Sequence, residues 1–356
     1  MSTRVVPSHL VAPSKLLSSD NASGTHPLVL EAMHQANSGH ALAYGNDRYT
    51  QDAEAAFSQL FGKEVVTRFA FGGTGANVMA LANMLQPAEA VVCSSWAHIS
   101  VDEAGAPERF LGAKLIDLPS SDAKLRPSDL HSLEHLFGSE HHVQPRVVSI
   151  TQATELGTLY TAKEVKDLCD AAHAMNMLVH MDGARICNAT AALGATRQAL
   201  RSFTIDAGVD VLTFGGTKTG AMFGEAVIFF NTDLAKRSLY VRKQSTQLYS
   251  KMRFISSQYS ALLKNDLFIE LGVASNSAAL SLFEQVQNIE MLQLSTPPAV
   301  NSIYPVLLPA ISKALQEWSF FWDWDAATHQ VRWMTAWDVD SADIAAFVAG
   351  LRSLLD

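Results

Sequence analysis

Two positions in this sequence have side chains whose type and setting point to chemistry: an acid that closes an apolar strand, and a lysine isolated among glycines and threonines. In Val179-His180-Met181-Asp182-Gly183-Ala184-Arg185 the strand ends on Asp182, then a glycine, then an arginine. A carboxylate placed there is costly unless it is paired. A protonated pyridine nitrogen would pair with it, and a ring kept cationic in this way is the electron sink that carbanion chemistry requires. The alternative is an Asp that caps the following helix, 184–193. In Phe214-Gly215-Gly216-Thr217-Lys218-Thr219-Gly220, Lys218 is either an exposed amine on a surface turn or a Schiff-base lysine that loses its charge when desolvated beside a cofactor. A nucleotide-binding P-loop is excluded because Thr217 stands where that motif demands glycine.

Two further segments suit the same site. Phe71-Gly72-Gly73-Thr74-Gly75-Ala76-Asn77 joins a strand to a helix N-terminus, where free amides, the helix dipole and the Thr74 hydroxyl make a cradle for a single phosphate. It lacks the full dinucleotide fingerprint. Ala97-His98-Ile99-Ser100-Val101-Asp102-Glu103-Ala104-Gly105 puts an imidazole just after a strand, where His98 is either a satisfied loop histidine or a group that stacks on a planar ring or moves a proton.

These segments need a scaffold that brings strand ends together. Short apolar runs at 65–71, 90–93, 114–118, 146–151, 177–181, 209–214 and 226–230 read as strands. Between them 75–85 and 161–175 read as helices, the latter with Val165, Leu168, Cys169 and Ala172 at spacings of three and four. Alternation of this kind predicts an α/β domain on a largely parallel sheet, which gathers ligands at the C-terminal ends of its strands. Helical signal fills much of 232–290. Past about residue 300 the pattern changes to short segments, a Trp-rich stretch and a closing amphipathic helix over 341–355, which reads as a smaller α+β domain. The expected division is a flexible tail over 1–18, a large domain over 19–264 and a small one over 265–356.

Composition bounds the partners. The 356 residues are 48% hydrophobic and carry a formal charge of −9, which gives no basic footprint for nucleic acid. No apolar stretch is read as approaching the roughly 18 residues that span a bilayer, so no membrane partner is expected. Cys93, Cys169 and Cys187 lack the spacing of a zinc site or a disulfide framework, so no metal and a cytoplasmic location are expected.

With these residues assembled, the sequence resembles the low-specificity L-threonine aldolases and phenylserine aldolases of the β-eliminating lyase group, within the aspartate-aminotransferase-like fold type I. The resemblance runs from about Ser19 to the end. It is carried by His180 to Arg185 with Asn188, by Phe214 to Lys218 with Gly224-Glu225-Ala226, and by Ser250-Lys251-Met252-Arg253-Phe254. It implies pyridoxal 5′-phosphate held covalently on Lys218, its ring nitrogen on Asp182 and its face against His98. Gly73, Thr74 and Gly75 would hold the phosphate with help from Thr217. Arg185 and Arg332 would fork onto the carboxylate of an amino-acid substrate, with Ser19 completing the clamp. It also implies a homotetramer, or at least a dimer, in which Tyr44 and Lys251 or Arg253 reach a neighbour's site.

Many relatives have a histidine after the strand that ends near Thr151; here Gln152-Ala153-Thr154-Glu155 puts Glu155 there, a base only if burial raises its pKa. Asn46 also stands where the family more often has Asp. The implied reaction is cleavage of L-threonine, L-allo-threonine or phenylserine to glycine and an aldehyde. Alternatives are β-elimination or transamination on the same fold, or a non-catalytic relative that binds the cofactor.

Overall fold

The apolar runs pair into a seven-stranded sheet in the structure, a computed structural model that describes residues 4–294 and 296–355. The strands are β1 (Val66–Ala70), β2 (Glu89–Ser94), β3 (Lys114–Leu118), β4 (Gln144–Thr151), β5 (Leu178–Gly183), β6 (Val211–Gly215) and β7 (Glu225–Phe229), in the order β1-β7-β6-β5-β4-β2-β3. Neighbours from β3 to β6 are parallel, and β7 runs antiparallel to both β6 and β1. The reason is local: the link from Gly216 to Gly224 is shorter than the dozen or so residues that a parallel crossover needs. β6 and β7 are buried at every position, as expected of strands covered on both faces.

One consequence matters for the site. β1, β2, β4, β5 and β6 all end at the same edge of the sheet, and β7 begins there. The glycine helix Gly73–Met84 after β1, the helix His98–Val101 after β2 and the turn Thr217–Thr219 after β6 therefore converge.

A second core lies around β8 (Ser302–Ile303), β9 (Trp322–Asp325) and β10 (Gln330–Met334), ordered β8-β10-β9, with helices Pro309–Trp318 and Ser341–Leu355. Trp333 and Phe347 meet edge to face there at 5.0 Å. The expected flexible tail is corrected over its described part. Val6 and Leu17 are buried in this second core, Met334 N–H donates to Leu17 O (2.9 Å), and Asp343 Oδ1 accepts from the Ser14 amide and hydroxyl and from Lys15 N–H. Apolar side chains spaced through 4–18 thus dock the segment, while 1–3 lie outside the described residues.

The boundary expected at 264 is also less sharp than the sequence suggests. Helix Leu267–Val286 starts in the large core with Phe268 and Leu271 and ends in the small one with Leu282 and Val286. Together with helix Arg253–Leu263 it forms a stretch, Arg253–Val286, that is long and apolar enough to cross a membrane, contrary to the expectation that none exists. Left-handed Asn265 (φ 53°) and Asp266 (φ 60°) break that stretch, and its apolar residues fill the two cores.

Candidate active site

A cavity of 360 Å³ opens at the shared strand edge, lined by residues from each of the converging segments. Asp182 sits near the end of β5, level with Thr151 of β4 and Thr213 of β6. It is 5% exposed, and its two oxygens are held separately: Oδ1 accepts from Ala184 N–H (2.9 Å) and Oδ2 from Asn77 Nδ2 (2.8 Å). Asp182 faces the cavity and does not cap helix Ile186–Ala192, whose N-cap is Arg185 with no side-chain cap bond; its contact with Ala184 N–H only braces the chain leading into that helix.

Asn77 comes from the second turn of the glycine helix. Its Nδ2 also donates to Glu103 Oε1 (2.9 Å), so one amide bridges two buried carboxylates. Glu103 Oε1 lies 2.9 Å from His98 Nδ1. That hydrogen bond, against burial and helped by the charge of Asp182, raises the imidazole pKa above its ordinary 6.5. His98 N–H and the Thr151 hydroxyl both donate to Glu155 Oε1, at 2.9 and 2.8 Å, while Glu155 Oε2 has no partner among the described residues. Burial pushes the Glu155 carboxyl above 4.5, the direction a base at neutral pH requires.

Lys218 lies in the turn after β6 and lines the cavity instead of standing on an exposed turn. Burial, then the nearby Arg185, lowers its amine below 10.5, which increases the neutral, nucleophilic form. Among the described residues no hydrogen bond to this amine is found. Behind it, Glu225 Oε2 accepts from Gly216 N–H (2.9 Å), and burial pushes that carboxyl up to about 7.

The glycine helix opens on Gly72, which has no side-chain cap, and its first laddered amide is Ala76 N–H to Gly72 O. The amides of Gly73, Thr74 and Gly75 precede it, as at any helix N-terminus. Nothing lies within 4 Å of a Cβ built on Gly72 or Gly73, so this end is open to a ligand. Gly75 is closed by Gln247, whose Oε1 accepts from Phe71 N–H (3.0 Å). A free helix N-terminus, a desolvated amine, a buried carboxylate and a half-buried imidazole around one cavity are the groups that pyridoxal phosphate requires, so the residues fit that cofactor.

The carboxylate end is arranged differently from expectation. Arg185 lines the cavity, but its Nε and Nη2 donate to Asp20 Oδ2 (2.7 Å) and Oδ1 (3.1 Å). Asp20, 1% exposed, also accepts from Asn301 Nδ2 of the small domain (3.2 Å). Burial works to raise the Asp20 carboxyl, but Arg185 and Lys218 outweigh it and hold it below 3.8. Ser19 Oγ accepts from Asn21 N–H (3.2 Å) as a local cap, and Asn21 instead of Ser19 lines the cavity. Arg332 lies over the Trp324 ring at 5.2 Å, donates through Nη2 to Ser18 O (3.3 Å), and has a buried Nε without a partner.

Thr217, Gly73 and Thr74 line the cavity, whereas Gly75, Arg332, Tyr44, Lys251 and Arg253 do not. Tyr44 is 48% exposed, with φ 63°, and Arg253 Nη1 donates to Gly39 O (3.2 Å). Sequence reasoning gave no role to Asp20, Asn77, Glu103 or Tyr304. The Tyr304 hydroxyl donates to Glu155 O (2.8 Å) and ties the small domain to that loop. A signal existed for Glu103, an acid close behind His98; Asn77 and Asp20 meet their partners only across the fold.

Residues 17–306 match the family described as beta-eliminating lyase, and the chain belongs to that family. It is 38% identical over 345 residues to a low specificity L-threonine aldolase from Pseudomonas sp., covering 96% of this chain and 98% of the relative. A protein of the same description from Pseudomonas aeruginosa is also 38% identical, over 95% of this chain and 97% of that one. The threonine aldolase of Leishmania major superposes with a TM-score of 0.88 at 31% identity, over 96% of this chain and 99% of that chain. The fold is that of type I pyridoxal-phosphate enzymes, and the cofactor of this family is pyridoxal 5′-phosphate.

Proposed function

We propose that this protein is a carbon-carbon lyase that cleaves the Cα–Cβ bond of β-hydroxy-α-amino acids such as L-threonine, L-allo-threonine and phenylserine, releasing glycine and an aldehyde. The observation that carries this reading is the cavity that Lys218 and Asp182 share with Glu155, an acid with one unpartnered oxygen. Bound pyridoxal phosphate supplies an electron-withdrawing ring that stabilises negative charge at Cα. Lys218 holds the cofactor, Asp182 its ring nitrogen, and the amides of Gly73, Thr74 and Gly75 with the Thr217 hydroxyl its phosphate. His98 covers the ring face.

Arg332, with Nη1 of Arg185, would hold the substrate carboxylate, and Asn21 stands at the cavity in the place expected of Ser19. This contact would fix the orientation of the substrate at the cavity, and orientation of this kind contributes about 7 kcal/mol or more to lowering a barrier. Glu155 Oε2 would take the β-hydroxyl proton, and burial raises this carboxyl in the direction that proton acceptance requires.

Lys218→Ala is expected to abolish both the visible absorbance of the protein-bound cofactor and aldol cleavage. The assay scores glycine and aldehyde against pyruvate and ammonia from a panel of amino acids; pyruvate from wild type would replace this reading by β-elimination. We further propose a homotetramer in which Tyr44 and Lys251 or Arg253 complete a neighbour's site, a reading supported by the exposed setting of Tyr44 and Lys251 and by the place of all three away from their own cavity. A cytoplasmic location is supported by three buried free cysteines, Cys93, Cys169 and Cys187.

A further inference from the structure

The reaction just described leaves one buried acid without a task. Glu103 follows the helix His98–Val101, and its side chain is 0% exposed. A carboxylate so far from water is retained only when it is paired. Its Oε1 takes two contacts, from Asn77 Nδ2 and with His98 Nδ1, both at 2.9 Å, and its Oε2 has none.

Donor and acceptor inventories then fix both partners. An ionised carboxylate only accepts, so His98 Nδ1 must carry the hydrogen, and Nε2 is left as the imidazole atom free to exchange a proton. The His98 side chain is 40% exposed and lines the cavity. Asn77 has only two amide hydrogens, and they go to Glu103 and Asp182; the flipped rotamer would set Oδ1 against two carboxylate oxygens.

We propose that Glu103 is a positioning residue that holds His98 in the tautomer protonated on Nδ1, turning Nε2 to the cavity as its proton-exchanging atom, and that Asn77 ties this pair to Asp182. The inference rests on the cavity being the pyridoxal-phosphate site described above. It gives the imidazole a proton-transfer role at Nε2 in addition to covering the ring. The groups that face His98 are Glu103 behind it, Asp182 from β5, Lys218 from the turn after β6, and Glu155 on its backbone amide. Glu103 and Asp182 favour the charged ring, while Lys218 and burial oppose it.

The test uses holoenzyme labelled with ¹³C and ¹⁵N on histidine, with the His98 signals assigned through His98→Asn. In wild type the neutral ring is expected to carry its proton on Nδ1. In Glu103→Gln the titration midpoint of His98 is expected to fall, and the acid limb of kcat/KM for aldol cleavage to move to lower pH with it. Glu103→Asp keeps the charge on a shorter arm and is expected to recover part of both shifts; it decides the matter if Glu103→Gln does not fold. A wild-type ring protonated on Nε2, or an unmoved midpoint in whichever variant folds, would overturn the proposal. If wild type lacks aldol cleavage while the tautomer and midpoint behave as stated, the reaction assignment fails and the positioning role stands.

Discussion

At the cofactor end of the cavity, Asp182, Asn77, Glu103 and His98 come from β5 and from the segments that follow β1 and β2, strands that are separated in the sheet order but end at one edge of it. Around Arg185, by contrast, Asp20, Asn301 and Arg332 join the N-terminal segment, the large domain and the small domain. The first constellation is in place once the sheet has formed. The second also requires the segment around Leu17 to dock on β10 and the small domain to settle against β5's loop. Damage at the first should therefore appear as loss of cofactor and turnover, and damage at the second as loss of domain coupling or substrate affinity.

The largest effect is expected from Asp182→Asn. It leaves the fold of the loop intact, because Ala184 N–H still has an oxygen to donate to, but it removes the charge that balances a cationic ring nitrogen. Breaking a buried charge pair costs about 3–5 kcal/mol, or on the order of 10²–10⁴ in affinity. Cofactor titration followed by absorbance, together with turnover at saturating cofactor, measures it. Wild-type values for both would end the claim that this end works through charge.

The same contrast explains what could be read from sequence. β3 and the closing helix fall where the sequence pattern puts them, and the other strands differ only at their ends; for β5 and β6 the reason is that a buried strand writes a nearly continuous apolar run. Lys218, Asp182 and His98 were legible because each directly follows or ends such a run. Asn77 was not, since its contact with Asp182 joins positions 105 apart in the chain. Asp20 is a plainer case. Arg185 was read as a fork for substrate, and no local pattern announces that a carboxylate far upstream already occupies its Nε and Nη2.

Asp20→Asn is the next step down and breaks the second constellation directly. The variant keeps the shape but leaves Arg185 without its counter-charge, at a cost of about 3 kcal/mol for a charged hydrogen-bonded contact. Asp20 has a folded pKa below 3.8, so its contribution to stability is full above that value and is lost as pH falls through the lower folded one. Denaturant midpoints should thus be lower for the variant at neutral pH and converge with wild type in acid. Parallel curves across the whole range would mean that the pair does not stabilise the fold through charge.

The smallest effect separates the two arginines. With Arg185 committed to Asp20 through two of its nitrogens, Arg332 is the guanidinium with donors to spare, including a buried Nε that finds no acceptor. An orphan donor of that kind is costly unless a ligand supplies the acceptor, which is the reason to assign it the substrate carboxylate. Arg332→Lys keeps a positive charge over Trp324 but cannot present two parallel hydrogens. Losing one charge-assisted hydrogen bond of about 1.5 kcal/mol should raise KM roughly tenfold. Because the same contact also orients the substrate, kcat should fall as KM rises. An Arg332→Lys variant with unchanged KM would shift the carboxylate contact to the free edge of Arg185 and make the docking of the small domain irrelevant to substrate affinity.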